Sequence, residues 1–252
     1  MPRVNVLGRL KGEADKPVIH FNGHFDVVPA GTGWSIDPYE GVIKNGKIYG
    51  RGSSDQKSGI AAQLSAVETL KRAGVQLKGT VEQSATVDEE TGGFAGVGYM
   101  VDKGYIALGK TDYCVITECL DLDRICVGHR GNLWFEIMTL GKKAHGCMPK
   151  LGINAIDKMV KVLSKSNCEL RPNIESRVTE YPIVPDEARH SSLTPTVIHS
   201  GLKVNIVPDV CVVRFDRRLI PEEDIQTAWT EIKNVLSKLY GEDPEFKYEL
   251  KR

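Results

Sequence analysis

The sequence has no cysteine pair at metal-ribbon spacing, no long uncharged apolar run and no excess of either charge. Its six cysteines (Cys114, Cys119, Cys126, Cys147, Cys168 and Cys211) are scattered without a CxxC motif. A cysteine zinc site is therefore not expected. The thiols read as reduced, several of them buried, in a cytoplasmic protein. No stretch is apolar for long enough to cross a bilayer, and Met1 to Val6 includes no apolar run of the secretory kind. Thirty-three Lys and Arg balance thirty-three Asp and Glu. Binding to nucleic acid or to an anionic membrane needs a positive field, so neither is expected. Internal repeats and Pro/Ser-rich linkers are also absent. What is present is a globular composition, 41% hydrophobic and 26% charged over 252 residues, enough for one large domain or two modest ones.

Short β-rich runs alternate with helical ones in the first half. Val18 to Phe21 reads as a strand, and the Gly/Pro-rich stretch from Pro29 to Gly52 as turns with hairpin strands. Ile60, Leu64, Val67 and Leu70 recur at helical spacing between Ser58 and Ala73, ahead of Gly74. Thr80 to Val87 predicts a strand, Phe94 to Lys103 a helix and Tyr113 to Thr117 a strand. This alternation predicts an α/β layer architecture. The second half predicts strands at Leu133 to Leu140, Thr194 to His199, Cys211 to Phe215 and Phe246 to Leu250. Helices are expected at Ala155 to Leu163 and from Pro221 towards Leu239, with Glu222 and Glu223 in the first turn of the latter. That order is βαββαβ, the split ferredoxin-like unit. The expected boundary lies at the acidic turn Asp121-Leu122-Asp123, giving domains 1–121 and 122–252.

Four segments carry chemistry. In Phe21-Asn22-Gly23-His24-Phe25-Asp26, His24 and Asp26 share a face if the strand persists, and Asp26 could orient the imidazole of a metal ligand. An ordinary turn with a surface histidine fits that segment as well. Gly50-Arg51-Gly52 precedes a helix as in a dinucleotide fingerprint, but Asp55 stands where the third glycine belongs, and its charge would repel a pyrophosphate. Asp55 suits either bridging of two cations or capping of the following helix. Asp88-Glu89-Glu90 ends a strand. These acids either favour a helix dipole or divide a task, one glutamate binding a metal and its neighbour acting as general base. Glu118 follows an apolar strand, at the end where an α/β sheet normally holds its site.

Together, Gly23-His24-Phe25-Asp26-Val27-Val28-Pro29, Gly50-Arg51-Gly52 with Asp55, and Asp88-Glu89-Glu90 resemble the M20 metallopeptidases. That family includes acetylornithine deacetylase, succinyl-diaminopimelate desuccinylase, aminoacylase and glutamate carboxypeptidase. The resemblance continues through Gly141-Lys142-Lys143-Ala144-His145, Asn205-Ile206-Val207-Pro208-Asp209 and Asp216-Arg217-Arg218-Leu219-Ile220-Pro221. It implies two zinc ions bridged by Asp55, with His24 and Glu118 on one and Glu90 on the other. Cobalt or manganese could substitute. By the same resemblance Glu89 is the general base and acid, and Asp26 the partner of His24. The second domain would be a lid and dimerisation domain. Its His145 would reach a neighbouring active site to stabilise an oxyanion, and Asn205 and Arg218 would hold a substrate carboxylate. Arg217 is a rival to Arg218, and strand alternation places the two on opposite faces. His20, His129, His190 and His199 match no ligand pattern.

The family also uses a late histidine and an N-terminal helical portion that this sequence lacks, so a chain truncated at both ends is expected. The resulting expectation is a zinc-dependent, homodimeric hydrolase that cleaves an amide bond in a small N-acylated amino acid or peptide. The alternative is a catalytically incomplete fragment or homologue acting as a dimerising or small-molecule-binding module.

Overall fold

The computed structural model describes residues 3–119 and 123–252. Contacts divide the chain into two compact units, Met1–Cys126 and Val127–Arg252. Asp121 and Leu122, at the expected boundary, lie outside the described residues.

The first unit contains β1 (Val6–Leu10), β2 (Val18–His24), β3 (Val42–Lys44), β4 (Lys47–Tyr49), α1 (Gly59–Arg72), β5 (Thr80–Thr86), α2 (Tyr99–Asp102) and β6 (Tyr113–Ile116). Its main sheet has the order β1-β5-β2-β6. β2 runs parallel to both β5 and β6, and only β1 is antiparallel to its neighbour. The C-terminal ends of three strands therefore point the same way. β3 and β4 form a hairpin whose turn, Asn45-Gly46, has both residues at positive φ, the pairing that matches hairpin twist.

One face of this sheet is polar yet buried. His20, Asn22, Glu82, Ser84 and Thr86 alternate inward from β2 and β5, and each is satisfied by a neighbour, as burial of polar groups demands. His20 Nδ1 lies 3.1 Å from Glu82 Oε2, its Nε2 lies 2.8 Å from Ser84 Oγ, and Asn22 donates to Ser84 Oγ at 2.9 Å. Burial opposes ionisation of Glu82, but hydrogen bonds from His20 and Arg9 bring its pKa below the usual carboxylate value. On α1 only Gln63 is buried. It donates to the Asn22 carbonyl (3.0 Å) and to Thr117 Oγ1 (2.7 Å), tying the helix to the sheet. Gly59 makes this approach possible, since a Cβ there would stand 2.3 Å from the Thr117 carbonyl oxygen.

The second unit contains β7 (Gly131–Leu140), β8 (Ala144–His145), α3 (Ala155–Lys165), α4 (Arg171–Glu175), β9 (Ser192–Ser200), β10 (Ile206–Val207), β11 (Val210–Leu219), α5 (Ile225–Glu242) and β12 (Lys247–Lys251). Its four-stranded sheet, ordered β12-β7-β11-β9, is antiparallel throughout. With the two-residue pair β8 and β10 and the short α4 set aside, this is the expected βαββαβ order. Leu133, Phe135 and Ile137 of β7 and Cys211, Val213 and Phe215 of β11 form one core with Met159 and Val162 of α3 and Ile232 and Leu236 of α5. Phe135 and Phe215 stack at 4.9 Å.

Arg217 shares the inner face of β11 with these apolar residues and is fully buried. Glu223 compensates it, accepting from Arg217, from Arg177 at 2.7 Å, from Ser191 and from the Ile220 N–H at 3.0 Å. This arrangement corrects two sequence expectations. The helix expected from Pro221 begins at Ile225, because Asp224 caps it by accepting the Thr227 N–H at 2.7 Å. Glu223 serves the buried arginine instead of the helix dipole. The helix expected over Phe94 to Lys103 shortens to α2 preceded by a kinked turn, because Gly96 adopts a non-helical backbone against Val87. Nor are several cysteines buried: only Cys211 is, while Cys114 sits on β6, all four residues of which are exposed. Among the described residues no helix is long and apolar enough to cross a membrane.

Removing the Glu223 charge would strand Arg217 in the core. Glu223→Gln is expected to cost about 3 kcal/mol, read as a lower denaturant midpoint in urea unfolding. Asp243 gives a pH test. Hydrogen bonds from Lys158 (2.8 Å) and Lys161 (2.6 Å) hold its carboxyl well below the usual range. A depressed pKa contributes stability that is present above the unfolded value near ~3.9 and is lost as pH falls through the folded one. Asp243→Asn should therefore lower the melting temperature at neutral pH, and the gap from wild type should shrink below about pH 4.

Candidate metal centre

The parallel β2, β5 and β6 deliver their C-terminal ends to one place. His24 is the last residue of β2, and Glu89 and Glu90 follow β5. Glu118 follows β6, and Asp55 lies in the turn Ser53–Ser58 that leads into α1. The strand does not persist to Asp26. The strand ends at His24, and the Phe25 N–H donates to the Thr86 carbonyl at 3.0 Å.

His24 is 2% exposed and stands at the centre of the group. Its backbone N–H donates to Gln56 Oε1 at 2.6 Å. Its Nδ1 faces the Asp26 carbonyl oxygen at 3.1 Å and the Asp26 carboxylate at 3.4 Å. With Nδ1 turned to these two acceptors, Nε2 faces the acids, the orientation a ligating imidazole needs. Asp55 Oδ1 lies 3.0 Å from Nε2, and Glu89 and Glu118 each approach it to 3.8 Å. Burial lowers the pKa of His24, but the Glu89 and Glu118 carboxylates and Asp26 outweigh it and hold it above the ordinary histidine value.

Asp26 has a second task. Its carboxylate accepts the backbone N–H groups of Glu89 (3.3 Å) and Glu90 (3.2 Å), fixing the strand end that carries both. The first acid of the triplet, Asp88, is used structurally. It sits at φ 71° and binds Thr91 Oγ1 (2.6 Å), the Ala95 N–H (2.9 Å) and Arg3. Burial, followed by the charges of Asp55 and Glu89, pushes Glu90 up. Burial also pushes Glu89 up, against the attraction of His24 and with the repulsion of Glu118, Asp26 and Asp55. Like charges so gathered are costly unless a cation compensates them.

The donors fit a cation. Ligand atoms of His24, Asp55 and Glu90 lie within 4.8 Å of one another, and so do those of Asp55, Glu118 and Cys119. Asp55 belongs to both groups. It does not cap α1, which has no side-chain cap. The resemblance paired Glu118 with His24, and Glu118 Oε1 lies 3.8 Å from His24 Nε2. Two residues escaped the sequence reading. Gln56, fully buried, holds the His24 backbone, and nothing in its local pattern marks it. Cys119 adjoins Glu118, and that adjacency was the available signal.

The remaining candidates lie in the second unit. His145 is exposed, and its Nδ1 accepts the Cys147 N–H at 3.2 Å. Ile206 pairs with His145, and the Gly146 N–H donates to the Asn205 carbonyl at 2.8 Å, so Asn205 and His145 are neighbours. Arg218 is not with them. It faces away from the core and forms a two-pronged contact with Asp216 at 2.8 and 2.9 Å. His145 and Asn205 lie towards the Val210 end of β11 and Arg218 near its other end, a separation on the order of 25 Å along the strand. Of the unassigned histidines, His20 is buried in the polar face, His190 contacts the Glu175 carbonyl, and His129 and His199 are exposed.

The model of peptidase family M20/M25/M40 matches residues 20–249. A probable succinyl-diaminopimelate desuccinylase from Staphylococcus epidermidis is 30% identical over 263 residues, covering 96% of this chain and 62% of that protein. The fold is similar to that of human carnosine dipeptidase 1, with a TM-score of 0.75 at 21% identity, covering 99% of this chain and 64% of that one. It is also similar to YXEP of Bacillus subtilis, a dinuclear metal-binding peptidase, with a TM-score of 0.59 at 17% identity over 98% of this chain and 60% of that one. The chain thus spans about three-fifths of the length of these proteins. With a family match over nearly its whole length, this chain belongs to peptidase family M20/M25/M40.

Proposed function

We propose that the chain carries the metal centre of a hydrolase that cleaves the amide bond of a small N-acylated amino acid or peptide. The observation that carries this reading is the convergence of His24, Asp26, Asp55, Glu89, Glu90 and Glu118 at the ends of three parallel strands. The names of the relatives, a desuccinylase and a dipeptidase, support the substrate class.

His24, Asp55, Glu90 and Glu118 would hold two cations, with Asp55 shared between them. Imidazole and carboxylate donors suit zinc, and also cobalt or manganese. When bound, the ions would polarise the amide carbonyl and acidify water. A carboxylate oxygen of Glu89 accepts the proton of the attacking water and returns it to the leaving amine nitrogen. Asp26 keeps Glu89 in place through its backbone N–H. At His145 the accepting Nδ1 leaves the ring proton on Nε2, a donor for the oxyanion of the tetrahedral intermediate. Asn205 would lie beside it, and Arg218 would grip a substrate carboxylate as it now grips Asp216. The separation of Arg218 from His145 and Asn205 supports a homodimer in which one copy supplies the arginine and the other the histidine to each site.

Glu89→Gln is expected to lower kcat by about 10²–10⁴-fold with metal content unchanged, measured by amine release from N-acyl amino acids and by elemental analysis. Wild-type turnover in this variant would overturn the mechanism. Mixing His145→Ala with Arg218→Ala protein, each inactive alone, should restore hydrolysis, since one site of each hybrid dimer is then intact. Failure to complement, with hybrid dimers shown by mass spectrometry, would overturn the shared site.

A further inference from the structure

We propose that Gln56 is a positioning residue of the metal centre, holding His24 against Asp55 so that the two grip one cation together. This rests on the metal-centre reading above and goes beyond it by assigning affinity to a residue that touches no ion. Gln56 follows Asp55 in the chain, is fully buried, and reaches back to accept the His24 backbone N–H at 2.6 Å. Asp55 Oδ1 lies 3.0 Å from Nε2 of the same histidine. Two consecutive residues therefore hold His24 at its main chain and at its ring. The contact replaces a missing strand partner. The Phe25 N–H goes to β5, and the His24 N–H points to the other side, where pairing with β6 stops at Asn22. Gly23 leaves room for it, since a Cβ there would stand 2.7 Å from Gln56 Oε1 and 2.6 Å from Ile60 Cγ1. A backbone N–H only donates, so Oε1 is the atom that faces His24. Nε2 is then left buried with no acceptor among the described residues. An apolar side chain would fill this position without an unpaired donor. What the amide alone supplies is an acceptor for the main chain of a metal ligand.

The test is titration of the metal-stripped 252-residue chain with Zn²⁺ in competition with a chromogenic chelator, paired with thermal unfolding of the metal-free protein. Gln56→Met keeps the volume and removes the acceptor. It should weaken zinc binding by about 10–100-fold, the usual cost of removing a group that orients a metal ligand. Its metal-free melting temperature should stay close to that of wild type. The variant leaves the His24 N–H unpaired but also removes Nε2, and the costs of these two buried donors offset. Gln56→Glu keeps an acceptor oxygen and should bind zinc at least as tightly as wild type. Wild-type affinity in Gln56→Met, or an equal loss in Gln56→Met and Gln56→Glu, would overturn the positioning role and leave the metal centre standing. A Gln56→Met chain that is unfolded without metal would assign the residue to the fold, with the same consequence. No zinc binding by wild type would overturn both readings.

Discussion

Carboxylates crowd around one buried imidazole, and much of the first unit is organised to hold them there. Asp26, Asp55, Glu89 and Glu118 all lie within 4 Å of a His24 nitrogen, and their mutual repulsion has to be withstood by backbone that cannot retreat. Three devices supply that rigidity. Gln56 fixes the His24 N–H, Asp26 fixes the N–H groups of Glu89 and Glu90, and Gln63 ties α1 to the chain on either side. The polar ladder of His20, Asn22, Glu82 and Ser84 leads up to this site along the same face of the sheet. Being fully hydrogen-bonded, it adds order where an unsatisfied network would cost stability.

The second unit handles charge differently. Its Glu223 answers a single buried arginine through hydrogen bonds that lower the pKa of the carboxyl, and the next residue, Asp224, caps α5. The same strand sends Arg218 outward one residue later. Adjacent arginines thus take opposite roles, one locking the core and one presenting a guanidinium at the surface, through nothing more than the two-residue period of a strand.

Much of this architecture was legible in the sequence. The strands at Val18, Thr80 and Tyr113 announce themselves by β-branched and aromatic runs, and the order βαββαβ follows from the spacing of such runs in the second half. Less legible were the ends of helices. Glu222 and Glu223 look like first-turn acids, and only the presence of Arg217 in the core shows why Glu223 is drawn elsewhere. The glycines between Gly92 and Gly98 hide a kink inside what reads as one helix, because Gly96 has to pass close to Val87.

The sequence by itself determined which residues have metal-binding chemistry and in what order they come: a histidine, a lone aspartate, a pair of glutamates and a further glutamate, each next to a strand or a helix start. Only the tertiary structure decided which of them meet. Parallel pairing of β2 with β5 and β6 brings together residues more than sixty positions apart. Turns that no local pattern specifies then choose that Asp26 faces backbone N–H groups and that Asp55 belongs to two donor groups. The physical reason is that ligand chemistry resides in single side chains, whereas coordination depends on distances that only the packed sheet sets.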